Sequence, residues 1–506
     1  MTETPVLIVG AGPTGLVLAL WLTKLGIRVR IVDREAEPGT TSRALAVQAR
    51  TLEFYRQVGL ADAVVAAGVE VDGLGFWVKG RLAARVSLRR IGEGLSPYAF
   101  VFVFPQDAHE KLLIERLHSL GVSVERSIEL AGFTQEERGV RATLRRPDGS
   151  AEICEAAYLA GCDGASSAVR NVLGIGFPGG TYTGRFYVAD VEASGPAVDG
   201  RVQVDLDESD FLILFPLKGE GRVRLVGVLR DPPGGAAAEP TFEDVGQRAI
   251  TNLRLRVARV NWFSTYRVHH RVASHFRDRR VFLLGDAAHI HSPVGGQGMN
   301  TGIGDAVNLA WKLAAVLGGA RDDLLSTYEL ERIGFARRLV STTDRIFEFV
   351  TKRGPFVRFV RTRLVPRIVP LLFRLGPVRR FQFRIVSQTG IEYRGSPLSS
   401  GSAGSIRGGD RLPWVSDGPE DNFAPLASLR WQVHVYGEAP PEVADACTAL
   451  GIALCRFAWT EAARRAGLAR DAIYLVRPDG YVALAESRAD GGKLRRYCEE
   501  RGLGRR

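Results

Sequence analysis

The chain is poor in sulfur. Its 506 residues hold five cysteines, Cys154, Cys162, Cys447, Cys455 and Cys498, and two methionines. The cysteines form no C-x-x-C pair, and their odd number speaks against a disulfide framework. Thiol-redox chemistry and a disulfide-stapled secreted fold are therefore disfavoured, and a reducing cytoplasm fits. No apolar run reaches the length needed to span a bilayer. Val6 to Leu22 is apolar, but it lacks a basic leader and contains a glycine turn, so it is not expected to be a signal peptide. There is no internal repeat, and the eight histidines show no metal-ligand spacing. His289 and His291 are expected to brace a loop. No recognition motif or interleaved stacking platform points to nucleic acid.

Acid is missing from one place in particular. Lysine plus arginine number 67 against 56 acids, a net charge of +11. Residues 351 to 391 hold Lys352 and nine arginines with no aspartate or glutamate, which accounts for nearly all of that excess. The segment is also apolar. It predicts either a solvated helical face backed by an apolar packing face, or contact with an anionic membrane or anionic ligands.

What is present begins at the amino terminus. Val6 to Val9 reads as a buried parallel strand, and Gly10, Gly12 and Gly15 follow in G-x-G-x-x-G spacing. Gly10 permits the tight turn, Gly12 lets backbone approach a pyrophosphate, and Gly15 lets helix and strand pack closely. Leu16 to Leu25 reads as the helix whose free N-terminal amides would meet the phosphates. Ile27 to Val32 reads as a second strand ended by Asp33, placed to accept from ribose hydroxyls. Strand, glycine turn, helix, strand and acid together specify a dinucleotide, without separating FAD from NAD.

A second glycine-rich stretch, LLGDAAHIHSPVGGQGMNTGIGD, spans Leu283 to Asp305. Val281 to Leu284 is an apolar strand with Asp286 just beyond it. Gly295, Gly296 and Gly298 allow close backbone approach to a ligand. Met299 and Asn300 open a helix running to Leu317, whose N-terminus would stabilise negative charge. Gly304 inside that helix costs about 1 kcal/mol relative to alanine, so close packing is expected there. Met299, the only methionine besides Met1, serves equally well as core filler.

These blocks, with SRALAVQARTLEFYRQVGL at Ser42 to Leu60 and GCDGASSAVR at Gly161 to Arg170, resemble the FAD-dependent aromatic monooxygenases, the family of para-hydroxybenzoate hydroxylase and the polyketide hydroxylases. The resemblance covers roughly residues 1 to 400. It implies FAD held by Gly10, Gly12, Gly15, Asp33, Arg43, Arg50, Gln106, Asp163, Asp286, Pro293, Gly298, Met299 and Asn300. Arg43 and Arg50 would address the pyrophosphate, Gln106 the sugar chain, Asp286 the ribityl chain, and the amides of Met299 and Asn300 the flavin pyrimidine edge. Asp163, supported by Arg170, would serve FAD and a passing nicotinamide. The alternative to that role is a turn plus helix cap, with Asp163 accepting from local amides.

The expected fold is α/β. A Rossmann-like FAD-binding domain (1–180, with an excursion at 69–104, and 281–395) carries an inserted antiparallel-sheet substrate domain (181–280). A Gly/Ser-rich linker (396–408) leads to a thioredoxin-like C-terminal domain (409–506). In the insert, VQVDL, the turn DESD, FLILFPL, the turn KGEGR and VRLVGVL read as hairpins. One face of FLILFPL, either Phe211, Ile213 and Phe215 or Leu212 and Leu214, is expected to line the substrate pocket.

The implied reaction uses NADPH or NADH and O2 to hydroxylate or epoxidise an aromatic, phenolic or polyketide-type substrate through a C4a-hydroperoxyflavin. The cofactor does the chemistry, while protein positions reactants and excludes water. Tyr187 and His269 are candidate substrate bases, each equally readable as structural. A flavoprotein dehydrogenase without oxygen insertion is the alternative. A flavin halogenase is disfavoured by the absence of a GWxWxIP signature.

Overall fold

The computed structural model describes residues 2–39, 44–206, 212–229, 241–244, 247–292, 295–351, 354–417 and 421–503. Arg43, Phe211, Pro293 and the DESD turn lie outside those residues. The first strand, Thr2–Val9, is apolar and buried on both faces from Val6 on, as a strand covered by helices on both sides must be. It lies between Val29–Val32 and Ala151–Gly161 and is parallel to both. Val281–Leu283 extends the sheet in parallel beyond Ala151–Gly161. Successive strands thus run outward in both directions from the first. In such sheets ligands sit beyond the carboxyl ends of the strands at this reversal. Three segments converge there: the turn at Gly10, Cys162–Asp163 and Leu284–Asp286.

The second sheet has eight strands and is built mainly from residues 179–272. Gly179–Ser194 pairs antiparallel with Arg222–Leu229 and with Arg256–Val272. Val202–Asp205, Leu212–Pro216 and Arg222–Leu229 form the expected antiparallel set. The excursion does not belong to the nucleotide sheet. Gly73–Val78 pairs in parallel with Val202–Asp205 and antiparallel with Arg81–Ser87, so it completes the substrate sheet.

The C-terminal sheet contains strands Ala453–Phe457, Gln432–Tyr436, Ile473–Val476 and Val482–Glu486 in that spatial order. Ile473–Val476 runs antiparallel to its neighbours. This is the strand order and direction of a thioredoxin-like core. Residues expected to form a Gly/Ser-rich linker extend it. Ser400–Ala403 pairs in parallel with Val482–Glu486 and forms a hairpin with Ile406–Arg407. The glycines there satisfy strand contacts: a Cβ on Gly408 would strike the Ser400 backbone and Ala483 O.

The domains are joined through a buried charge network. Arg477 donates to Glu331 Oε1 at 2.7 Å and to Asp479 Oδ2 at 2.6 Å. Lys312 Nζ donates to Glu331 Oε2 at 2.8 Å, and Trp311 Nε1 to Asp479 Oδ2 at 3.1 Å. Burial raises the cost of every one of these charges, so the cluster holds only when complete. Arg477 and Lys312 keep Glu331 well below the usual carboxylate range against that burial.

Candidate functional site

The two glycine-rich blocks, far apart in sequence, meet side to side. Thr14, inside the first turn, packs on both Gly285 and Gly302. A Cβ on Gly285 would lie 2.6 Å from Thr14 Oγ1, and one on Gly302 would overlap the same oxygen. Helix Pro13–Lys24 therefore lies against helix Gly298–Leu317 with the Thr14 side chain seated on Gly302 at this crossing.

Each glycine of the first turn has a separate role. Gly10 has φ +103°, and a Cβ there would run into Cys162 O. One on Gly15 would run into Gly10 O. A Cβ on Gly12 meets nothing within 4 Å. Gly12 is thus the one member of the trio that faces away from protein, at the N-cap of a helix with no side-chain cap. Helix Gly298–Leu317 also begins without a side-chain cap. Two helix N-termini without a side-chain cap fit a ligand carrying a pyrophosphate and an electron-accepting ring.

Asp33 accepts from Ala11 N at 2.6 Å and from Glu35 N at 2.8 Å. Its carboxylate fixes the turn and retains lone pairs for further donors. Gln106 opens helix Gln106–Ser119. Its Oε1 accepts from Ala44 N at 3.3 Å and its Nε2 donates to Glu110 Oε1 at 2.8 Å, so it ties down the segment that follows Arg43. Asp286 is exposed in the turn Gly285–Ala287, at the carboxyl end of Val281–Leu283. Met299 is half-buried against the main core. The Asn300 side chain is fully engaged. Oδ1 accepts from Gln48 N and Thr51 Oγ1, both at 2.8 Å, and Nδ2 donates to Ala46 O and Gly296 O, both at 2.9 Å. Only its backbone is left to serve a ligand, as the resemblance implies.

Other assignments change on inspection of partners. Arg50 is buried, with Nη1 on Glu53 at 2.8 Å and Nη2 on Asp479 O at 2.6 Å. Its guanidinium lies over the Phe54 and Tyr481 rings. It fastens the FAD domain to the C-terminal domain, and both of its amino groups are spent away from the nucleotide turn. Asp163 accepts from Ser167 Oγ at 2.6 Å and Val169 N at 3.1 Å, which is the helix-cap reading. Burial raises its carboxyl above the ordinary value. Arg170 donates to Ala287 O at 2.9 Å and Ala165 O at 2.8 Å, linking the Asp163 turn to the Asp286 turn.

The substrate sheet has two unlike faces. Tyr187, Leu212, Leu214 and Leu225 form one closed cluster with Leu253. Ile213 and Phe215 join Leu45 and Ala49 of the nucleotide domain in another. The Ile213–Phe215 alternative is therefore the face turned toward the cofactor domain. Tyr187 stands on the opposite face, beneath Gly227, which removes it as a substrate base. His269 alternates along its strand with Val268, which packs on the Phe186 side. Its Nδ1 lies 2.7 Å from Thr181 Oγ1. Burial, Arg271 and Arg267 depress its proton affinity, so it keeps company with cations away from that face. Sequence reasoning missed Arg224. It is buried, bonded to Asp190 through Nε at 2.5 Å and Nη2 at 2.7 Å, and reaches Ala44 O at 3.4 Å from the Phe215 side.

A second omission lies behind the return helix. Asp305 accepts from Arg332 Nε at 2.6 Å and Gly285 N at 3.0 Å, and its Oδ2 lies 2.7 Å from His289 Nε2. His289 and His291 do brace the loop. His291 Nδ1 donates to Ser292 O at 2.8 Å, and burial pushes its pKa down to about 4. Among the described residues no cluster suits a metal ion.

A doubly wound nucleotide sheet with uncapped helix ends at its strand reversal, joined to a second sheet through Ile213 and Phe215, defines a dinucleotide-binding protein. The FAD binding domain family matches residues 3–343. The chain is 39% identical over 414 residues to the 6-methylpretetramide 4-monooxygenase of Streptomyces rimosus, covering 80% of this chain and 72% of that one. It is 35% identical over 356 residues to the dialkyldecalin synthase of Streptomyces rugosporus, covering 68% and 72%. The solved anhydrotetracycline hydroxylase of Streptomyces rimosus superposes with a TM-score of 0.79 at 28% identity, over 100% of both chains. The chain belongs to the FAD binding domain family of flavoprotein aromatic monooxygenases. It is an oxidoreductase that uses FAD and a reduced nicotinamide, and the similar proteins give no support to an oxygen-free dehydrogenase.

Proposed function

We propose that this enzyme, working in the cytoplasm, places one hydroxyl on a polycyclic phenol or quinone of polyketide type, with NADPH or NADH as electron donor. The observation that carries this reading is the inner face of the substrate sheet, where Ile213 and Phe215 present apolar area toward the cofactor domain. Flat aromatic rings suit such a face.

In this reading FAD is held by backbone at Gly12 and at Met299–Asn300, by Asp33 at the ribose and by Asp286 at the ribityl chain; it supplies oxygen activation when bound. The protein's share is orientation and exclusion of water. Asp190 fixes the Arg224 guanidinium in one plane. The Asn300 contacts hold the start of the return helix against Ala46 and Gln48. No side chain on the inner face is assigned as a proton acceptor.

Mass spectrometry of a panel of anthraquinones, naphthols and tetracyclic phenols incubated with NAD(P)H tests the proposal. A product heavier by one oxygen supports it. A substrate converted to an isomer of unchanged mass would count against it. NAD(P)H consumption with all electrons recovered as peroxide from every candidate would sink the substrate class.

A further inference from the structure

The acid-free segment gives the molecule an unusual exterior. Its helices, Pro355–Phe359, Val360–Leu364 (π-type), Val365–Leu372 and Gly376–Val386, follow one another without a long break. Their inward side is apolar and packed. Val365, Val369 and Phe373 lie against the cluster that contains Ile213 and Phe215, and Phe383 is buried beside Gly92. That side alone would satisfy a surface helix. The outward side is apolar too. Phe356 is 75% exposed, Phe381 62%, Leu371 57% and Leu375 54%, with Phe359 and Ile385 just over half exposed. Of the large hydrophobic residues exposed among the described residues, most fall in this one stretch. Helices apolar on both sides are found inside cores or against lipid. Here one side is already core.

Cations are threaded through the same outward side. Arg363, Arg367, Arg374, Arg379, Arg380 and Arg384 make no ion pair among the described residues. Arg380 and Arg384 each precede an exposed apolar residue, Phe381 and Ile385. With Thr389, Gly390 and the carboxylates of Glu392 and Asp410 they line a cavity of about 240 Å³ at the edge of the acid-free stretch. Burial first, then the neighbouring Arg380 and Arg411, hold the Arg384 guanidinium below its ordinary proton affinity, with Asp410 opposing them.

The geometry points to a docking surface for an anionic phospholipid bilayer on the helices from residue 355 to 386, with Phe356, Leu371, Leu375 and Phe381 entering the acyl boundary and the arginines meeting phosphates. Long arginine stems let the charged group reach headgroups while their methylenes lie on lipid. Apolar area and basic charge together are the two signals that stable interfacial binding needs. A second copy of the chain is a poorer occupant. A two-fold contact would set this acid-free patch on itself, arginine against arginine. An acidic protein would satisfy the charges but leaves the protruding phenylalanines unexplained. No helix among the described residues is long and apolar enough to cross a membrane, so the contact is peripheral.

The test uses the intact, FAD-loaded enzyme and sedimentation with vesicles of phosphatidylcholine alone or with about one third phosphatidylglycerol. Binding is expected only to the anionic vesicles. It should weaken about tenfold in L371S/L375S/F381S and again in R374Q/R379Q/R380Q, with flavin content and Tm unchanged in both. The charge variant should also lose most of the salt dependence. Three results overturn the proposal. One is no binding of wild-type enzyme to anionic vesicles at low salt. Another is full binding by the apolar variant, which would reduce the effect to charge alone. The third is a dimer by light scattering that the apolar variant converts to monomer, which would make a second copy the occupant.

Discussion

At the residue scale, the glycines of the first turn separate folding from cofactor retention. A valine in place of Gly12 would sit in a conformation open to any residue, φ −75°, and its Cβ would meet no protein atom within 4 Å. Gly12→Val is therefore expected to fold with a Tm within a few degrees of wild type and to purify without flavin. Gly15→Val would force helix and strand apart at Gly10 O and should give little soluble protein. Absorbance at the flavin band and a thermal melt on each variant decide this; a yellow Gly12→Val protein would move the pyrophosphate elsewhere. Titration belongs to this scale as well. Burial holds His109 and His434 down to about 3 and His291 to about 4. Each has a ring nitrogen with no partner among the described residues. The unfolded chain takes up protons at these positions below about pH 6.5, and the folded chain refuses them. Their contribution is complete above that pH. It is lost as pH falls, at up to about 1.4 kcal/mol per pH unit for each histidine. Tm should begin to drop near pH 6.5, above the range where carboxylates act, and His434→Gln should flatten the decline. A Tm constant from pH 8 to 5 would contradict the burial of neutral rings.

At the scale of elements, the legible parts were those whose cause is local. Val6–Val9, the glycine turn and the strand–helix at Val281 to Leu317 carry their periodicity and turn residues in sequence, and they form where expected. The substrate hairpins did too, because alternation and turn residues fix their register. What escaped depends on distant partners. Arg50 looked free for phosphate because Asp479, which takes its Nη2, is 429 positions away. The stretch from Ser400 to Arg407 looked like a linker because its glycine content is high, and only the neighbouring strand Val482–Glu486 makes it a hairpin. Gly304 illustrates how propensity and packing compete. Alanine there would favour the helix by about 1 kcal/mol, but its Cβ would lie 3.1 Å from Arg332 Nη2. Arg332 is held by Asp305, Tyr393 and Thr301 O and cannot give way. Gly304→Ala should therefore lose about 1–3 kcal/mol, read from urea unfolding. A more stable variant would show that Arg332 moves.

At the scale of the whole molecule, the C-terminal domain is a structural partner of the cofactor domain. Removing Arg477 leaves Glu331 and Asp479 buried without their main counter-charge. Arg477→Met is expected to cost about 3–5 kcal/mol, visible as a lowered Tm for flavin release and unfolding together. Two separate transitions, with flavin release unaffected, would instead mean that the domains melt independently. Excision of residues 396–506 should behave worse than the point variant, since it also strips Tyr481 and Asp479 from Arg50.

The meeting of Thr14 with Gly285 and Gly302 has a consequence for how the protein is born. The amino-terminal strand and helix leave the ribosome first, yet the turn that closes on them is translated some 270 residues later. At about 5–20 residues per second that is an interval of roughly 14 to 55 s. During it, Ala151–Gly161 can pair with the first strand and with Val140–Arg145, but its end, Leu159–Gly161, has no Val281–Leu283 beside it. Helix Pro13–Lys24, buried almost throughout in the finished enzyme, is meanwhile without its companion helix. The nascent chain therefore presents an apolar helix and a short open strand end for much of its synthesis, which makes it a natural client for ribosome-associated chaperones and sets FAD capture among the last events of folding.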